Sequence, residues 1–162
     1  GVAMLMAFGR NGLIGSGLES IGLHISFTTT AVVFAQIFVA SPFFVRSAKL
    51  GFQSVAKDYE DVAQTLGVSP FRTFFRITLP LAAPSMFVGL GVAWARALSE
   101  FGATMMFAGN LTGETQTMPL AIMSAMETSL DSALALSVIL LAGSVLLLAL
   151  LGLLTRPHWQ GR

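Results

Sequence analysis

Few side chains in this sequence have the types and spacing that catalysis or metal binding requires. There is no Cys, and the two histidines, His24 and His158, lie near opposite ends, so neither a thiolate site nor a histidine metal pair is predicted. The sequence contains no GxxxxGK[ST] phosphate loop and no GxSxG nucleophile elbow. We therefore expect no catalytic residue and no metal or cofactor bound by this chain.

The charged pair with the most suggestive spacing is Arg96 and Glu100, which are four residues apart beside an apolar run. On a helix these side chains share a face, and near a membrane an unpaired charge costs at least a few kcal/mol, so we expect them to pair. Two interpretations remain open. The pair either has a structural role, marking the end of the hydrocarbon region or bracing two helices, or it lets Arg96 offer positive charge to an anion while Glu100 sets its rotamer.

The composition indicates that membrane helices position these groups. Hydrophobic residues make up 54% of the 162 residues and charged residues only 10%, against about 25% charged in soluble domains. At about 1.5 Å per residue, each of three apolar runs crosses or nearly crosses a hydrocarbon layer of about 30 Å. We therefore predict an all-α, polytopic membrane helical bundle. Its transmembrane helices are expected over residues 27–45, 77–99 and 132–155, and residues 1–8 are interpreted as the end of a truncated helix.

The distribution of charge predicts an orientation. Five of the nine basic residues lie between 46 and 76, whereas 97–131 holds four of the eight acidic residues and no base. Because short loops rich in Lys and Arg stay cytoplasmic, we expect 46–76 and the C-terminus to face inward and 9–26 and 109–131 to face outward. The net charge of +1 gives no reason to expect a nucleic-acid partner.

Residues 53–76 are predicted to form two helices joined by a tight turn. Gly67 has the position of a residue that ends the first helix, and Ser69-Pro70 can begin a second, short one. Both helices have apolar faces, formed by Val55, Tyr59, Val62, Ala63 and Leu66 in the first and by Phe71, Phe74 and Phe75 in the second. The membrane interface, the protein's own bundle and a groove on another protein are all possible destinations for this stripe.

The same segment resembles the EAA signature of importer-type ABC permeases, EAA-x3-G-x9-I-x-L-P. The spacing is complete from Asp61-Val62-Ala63 through Gly67 to Ile77-Thr78-Leu79-Pro80, with Asp61 and Val62 replacing the usual Glu and Ala. In that family these coupling helices dock into a groove on the ATP-binding subunit. The resemblance therefore implies coupling helices over 53–76, with contact to the ATPase by Asp61, Ala63, Gly67, Phe71, Phe74 and Phe75.

A second resemblance concerns residues 96–122, RALSEFGATMMFAGNLTGETQTMPLAI. It is similar to RxLGEFGAT…AGNxPGxTQTxPLAI of molybdate permeases, with Ser99 and Thr112 replacing Gly and Pro. Sulfate permeases are similar through GE(Y/F)G and AGN but diverge around Thr-Gln-Thr, so molybdate or tungstate is favoured over sulfate or thiosulfate. Within this segment Arg96, Glu100 and Thr104 are candidate pathway or gate residues.

These resemblances imply a MetI-like type I permease domain over residues 1–162, lacking its first helices. ATP and Mg would belong to a partner ATPase, and the other implied partners are an extracytoplasmic oxyanion-binding protein, a second copy of the chain and lipid of the inner membrane of a prokaryote. The alternatives are an ion-coupled secondary carrier and a structural membrane anchor, neither of which requires the EAA spacing.

A ridge of small residues runs along the second predicted span. Ser85, Gly89, Ala93 and Ala97 recur every four residues, which is typical of helices that approach closely. The pattern fits a contact inside the bundle or a dimer seam.

Overall fold

The computed structural model describes residues 1–9, 12, 15 and 25–154, and every regular element among them is helical. We number the helices in chain order and name the π-helical turn separately. They are α1 (Val2–Phe8), α2 (Thr29–Gln53), α3 (Lys57–Thr65), α4 (Pro70–Thr73), the π-turn (Phe74–Thr78), α5 (Leu79–Leu98), α6 (Gly102–Ala108), α7 (Met118–Thr128) and α8 (Leu130–Leu154).

Three helical stretches in the described part of the chain are long and apolar enough to cross a membrane. They are Thr29–Gln53, Pro70–Leu98 and Leu130–Leu153. The first begins two residues after Phe27, whose φ of 60° is incompatible with a right-handed helix, and it ends eight residues beyond the predicted 45. The predicted end of the third span, Thr155, lies outside the described residues.

The second stretch differs from the expectation of a short helix followed by a separate span from 77. Pro70 occupies the first helical position, and α4, the π-turn and α5 then follow without interruption. In the π-turn the N–H of Leu79 bonds to the carbonyl of Phe74, five residues back. Pro80, which has no N–H to donate, directly follows Leu79. The wide π-turn accommodates this proline without breaking the helix.

The chain divides into two compact units. The first consists of the described residues within 1–40 and 95–145. Its core is made largely of small side chains from α2 and α6, with Phe107 completely buried among them. Because alanines at Ala31, Ala35 and Ala108 occupy little space, these helices can approach each other closely.

The second unit consists of 41–94 and the described residues of 146–162. Here α2 and α5 meet through the small-residue ridge. A Cβ added at Gly51 would lie 2.8 Å from the Cβ of Ser85, and one added at Gly89 would collide with the side chain of Ser47. Within this unit, Ser85 and Gly89 of the ridge therefore form a contact between helices of the same chain.

Candidate functional site

The first candidate site is the segment of residues 57–78, which we call the elbow. Its turn follows α3 and depends on Gly67, whose φ is +77°. The N–H of Gly67 bonds to the carbonyl of Gln64 and the N–H of Val68 to that of Ala63, which is the Schellman pattern of helix termination. These hydrogen bonds confirm the sequence-based assignment of Gly67 as the residue that ends this helix. Glycine suits the position because an L side chain would be strained at that φ.

Large apolar side chains lie on the surface of the elbow. Leu66 and Phe71 are each 76% exposed, and the rings of Phe71 and Phe75 are 4.8 Å apart between centroids. Phe75 also contacts Phe74 edge to face at 5.1 Å. The exposed face, which we call the aromatic face, comprises Tyr59, Val62, Leu66, Phe71, Phe74 and Phe75.

Not every predicted contact residue lies on this face. Asp61 is exposed beside it, whereas Ala63 is only 4% exposed and points into the elbow. Phe74 is the least exposed of the three phenylalanines, and its ring stacks on Phe52 of α2 at 5.9 Å. The predicted stripe is thus divided: Ala63 and part of Phe74 support the elbow from inside, and the remaining apolar residues form its surface.

The elbow also contains a polar contact that the sequence analysis missed. The hydroxyl of Thr78 donates a hydrogen bond of 2.7 Å to Oε1 of Glu60, and Thr78 is only 6% exposed. A cavity of about 210 Å³ adjoins this pair and is lined by Glu60, Gln64, Pro70, Thr73, Phe74 and Thr78. The sequence feature that could have indicated this contact is the hydroxyl of Thr78 between the apolar residues Ile77 and Leu79.

The second candidate site is the segment of residues 96–117, which we call the outer segment. Nη2 of Arg96 lies 3.1 Å from Oε2 of Glu100, as their spacing predicts. The other carboxylate oxygen of Glu100 accepts a 2.8 Å hydrogen bond from the backbone N–H of Ala103, in the first turn of α6. Glu100 therefore joins the end of α5 to the start of α6, and its negative charge is favourable at a helix N-terminus.

The three candidate pathway residues differ in exposure. The side chain of Arg96 is 38% exposed, that of Glu100 is 8% exposed, and Thr104 is completely buried. The hydroxyl of Thr104 makes no hydrogen bond in the described structure. Arg96 is thus the member of this set whose charged group reaches the surface of the chain.

The loop between α6 and α7 is closed by its own hydrogen bonds. The carbonyl of Leu111 accepts from the N–H groups of Glu114, Thr115 and Gln116, and the hydroxyl of Thr115 accepts from the N–H of Leu111 at 3.0 Å. Thr115 is only 2% exposed as a result. A polar outer loop was predicted here, but its buried threonine was not.

Side-chain amides fix the same loop to α7. The Nδ2 of Asn110 donates to the hydroxyl of Ser124 at 2.9 Å, and its Oδ1 accepts from Nε2 of Gln116 at 3.0 Å. Thr29, which begins α2, donates to the carbonyl of Glu114 at 3.1 Å. These groups satisfy one another, whereas the buried hydroxyl of Thr117 in the same loop has no hydrogen-bond partner among the described residues.

No group of three or more His, Cys, Asp or Glu residues in the described ranges is arranged to hold a metal ion. The ridge residues are placed in three ways: Ser85 and Gly89 face α2, Ala93 is buried, and Ala97 is half-buried. The two features of the described residues that could contact a ligand or a partner are the partly exposed guanidinium of Arg96 and the exposed apolar side chains of the elbow.

These features define a class of polytopic membrane protein whose apolar helices are connected by a helical elbow. A family model described as binding-protein-dependent transport system inner membrane component matches residues 1–157, and the chain belongs to this family. The predicted MetI-like permease fold and membrane location are thereby confirmed.

Comparison with curated proteins gives relatives that are named as transport permeases. The chain is 47% identical over 146 residues to the molybdenum transport system permease protein ModB of Mycobacterium tuberculosis, covering 90% of this chain and 55% of that protein. It is 41% identical over 156 residues to the probable transport system permease protein NifC of Clostridium pasteurianum, covering 96% of this chain and 54% of that protein.

A sulfate permease is also among the relatives. The sulfate transport system permease protein CysW of Synechococcus elongatus is 37% identical over 150 residues, covering 93% of this chain and 52% of that protein. The chain spans about half the length of the curated relatives it matches. These relatives are transport permeases by name, and none of the three is named as an enzyme.

Proposed function

We propose that this chain is part of the permease subunit of an ABC importer that moves molybdate or tungstate across the cytoplasmic membrane. ATP and Mg would bind to a separate ATPase subunit, which supplies the energy. The observation that carries this proposal is the aromatic face of the elbow, whose members from Val62 to Phe75 lie within the complete EAA spacing. The greater identity to ModB than to CysW favours molybdate.

The aromatic face is proposed to dock into a groove on the ATPase. Burying a side chain such as Phe71 or Leu66 stabilises a contact by about 1.5–3 kcal/mol, so a few such residues can dominate an interface. The charges of the elbow balance, with Lys57, Arg72 and Arg76 against Asp58, Glu60 and Asp61, so no basic excess favours an anionic lipid surface over a protein groove. Gly67 sets the turn, and Ala63 supports it from within.

The transported oxyanion is proposed to meet Arg96. A guanidinium is permanently charged and matches the geometry of oxyanions, and Arg96 keeps part of its side chain exposed. Glu100 would act as its positioning residue, since the 3.1 Å ion pair restricts the Arg96 rotamer. Thr104 would support the α6 side of this arrangement from the core.

The remaining assignments follow from charge and length. Residues 1–162 are proposed to form one permease domain, with membrane-spanning helices covering 27–45, 77–99 and 132–155 and coupling helices over 53–76. The elbow and the C-terminus would face the cytoplasm, because the 46–76 segment holds five of the nine basic residues. The 109–119 side would receive substrate from an extracytoplasmic binding protein, and two copies would enclose the path.

A sulfate importer is the second candidate, supported by the similarity to CysW. The test is ATP-dependent uptake of labelled molybdate into proteoliposomes that contain the full-length permease, its ATPase and its binding protein, with tungstate and sulfate as competitors. We expect equimolar tungstate to reduce uptake by about half and sulfate to leave it unchanged. Strong inhibition by sulfate would favour the sulfate branch, and uptake independent of ATP would favour a secondary carrier.

The role of Arg96 is tested in the same system. The double variant Arg96→Ala/Glu100→Gln removes both charges without leaving a buried carboxylate unpaired, and Gln can still accept from the N–H of Ala103. We expect at least a tenfold loss of uptake while the complex remains assembled. Arg46→Ala, at another exposed arginine, is the control. Normal uptake by the double variant would show that the ion pair has only a structural role.

A further inference from the structure

The hydrogen bond between Thr78 and Glu60 connects the two arms of the elbow. Glu60 lies in α3, and Thr78 is the last residue of the π-turn, directly before α5 within the long helix 70–98. The residues are 18 positions apart, and their oxygens are separated by 2.7 Å. Because Thr78 is 6% exposed, little water competes for this bond.

The π-turn is a conformation that requires support. Its i→i+5 hydrogen bonds are rare in proteins, and such turns occur as single insertions within α-helices. In this chain the turn is contacted at both ends: Phe74 stacks on Phe52, and Thr78 bonds to Glu60. The Glu60 contact thus holds the residue through which the elbow continues into α5.

The backbone between the two arms offers a ready point of bending. Gly67 has a φ of +77°, and no atom lies within 4 Å of the position a Cβ would occupy there. The cavity of about 210 Å³ between the arms means that apolar packing alone does not fill the angle of the elbow. A directional bond across that angle adds a restraint on bending to the two backbone hydrogen bonds of the turn.

We propose that Glu60 is a positioning residue for energy coupling, and that its bond from Thr78 fixes the angle between α3 and the long helix 70–98. When the ATPase displaces α3, the fixed angle transmits the movement to the membrane helix instead of allowing the chain to bend at Gly67. This inference rests on the proposed docking of the elbow onto an ATPase, and it assigns a role to two residues outside the docking face.

The test compares coupling with assembly in the full-length permease, purified with its ATPase and reconstituted with its binding protein. Thr78→Val removes the donor, Glu60→Ala removes the acceptor, and Glu60→Gln keeps an acceptor oxygen. The matched controls are Thr128→Val and Glu127→Ala, at exposed residues near the end of α7. The quantities measured are oxyanion molecules transported per ATP hydrolysed and the amount of ATPase that co-purifies.

We expect Thr78→Val and Glu60→Ala each to lower transport per ATP at least fivefold while the ATPase co-purifies as in the unmodified protein. Glu60→Gln should retain at least half of the coupling, and the double variant Glu60→Ala/Thr78→Val should be no worse than the poorer single variant. Equal coupling in Thr78→Val and its control, or multiplied losses in the double variant, would overturn the proposal. An unmodified permease that retains no ATPase would instead overturn the proposed function.

A second measurement reports the angle between α3 and the long helix 70–98 directly, and it can be made on variants that have lost transport activity. Spin labels on Thr65→Cys in α3 and Leu81→Cys in α5, both exposed, lie on either side of the turn at Gly67, and this chain has no Cys of its own. We expect the distance distribution to broaden in Thr78→Val and to remain narrow in Glu60→Gln. A distribution of unchanged width in Thr78→Val would show that the bond does not set the angle.

Discussion

The elbow and the outer segment both contain tight turns, but they differ in which kind of side chain is exposed and which is buried. In the elbow, Leu66 and Phe71 are each 76% exposed, and a Cβ at Gly67 would meet no atom within 4 Å. In the outer segment, Thr115 is 2% exposed, and the carboxylate of Glu100 has a partner on each oxygen. The elbow displays apolar surface, whereas the outer segment encloses polar groups.

This difference indicates where each region obtains its stability. The hydrogen bonds of the outer segment are made within the chain, so that losing one partner leaves a buried polar group unsatisfied. The aromatic face of the elbow has few contacts to lose in the isolated chain, and its apolar area is available to a partner. Substitutions in the two regions should therefore affect different measurements.

The largest loss of stability is expected for Glu100→Ala. It leaves the partly buried Arg96 and the N–H of Ala103 without their carboxylate. We expect the free energy of unfolding to fall by about 3 kcal/mol. This value is at the low end for breaking a buried ion pair, because the side chain of Arg96 is 38% exposed. Denaturant unfolding of the purified permease in detergent measures the change. Glu127→Ala, at an exposed carboxylate, should be nearly neutral; equal losses would contradict the role given to Glu100.

A smaller loss is expected for Thr115→Val, which conserves shape but removes the oxygen that accepts from Leu111 N–H. Leaving that part-buried donor without its partner should cost about 2 kcal/mol in the same unfolding experiment. Thr112→Val, at an exposed threonine of the same loop, is the matched control. If both variants were equally stable, the loop would not depend on its internal hydrogen bonds.

Sequence patterns predicted the regular parts of both regions. The helix-ending position of Gly67 and the pairing of Arg96 with Glu100 follow from local spacing, and both are present. The Thr78–Glu60 bond and the burial of Thr115 depend on tertiary contacts and on a π-turn that no local pattern specifies. The inward direction of Ala63 was missed for a similar reason, because periodicity defines a face and does not say which part of it the long helix covers.

Gly67→Ala is expected to have a moderate effect. The added methyl has space, but the φ of +77° costs an L-residue about 1–2 kcal/mol. Gly143→Ala, in the middle of α8 and also with open space, should be neutral or slightly stabilising, since it lacks the positive φ. Similar unfolding free energies for the two variants would argue against a strained turn at Gly67.

The smallest change in stability is expected for Phe71→Ala, within about 0.5 kcal/mol of the unmodified protein, because most of this side chain is already exposed. The same unfolding experiment provides the measurement. A loss of several kcal/mol would mean that Phe71 belongs to the internal packing of the elbow.

The central claim is that the aromatic face is the docking surface for an ATPase, and its most direct test is a binding titration. Purified ATPase subunit is titrated against the full-length permease in nanodiscs, comparing Phe71→Ser with Phe87→Ser, a change at a phenylalanine of α5 that is 53% exposed. We predict that Kd rises at least tenfold for Phe71→Ser and stays unchanged for Phe87→Ser. Equal affinities for the unmodified protein and Phe71→Ser would contradict the assignment.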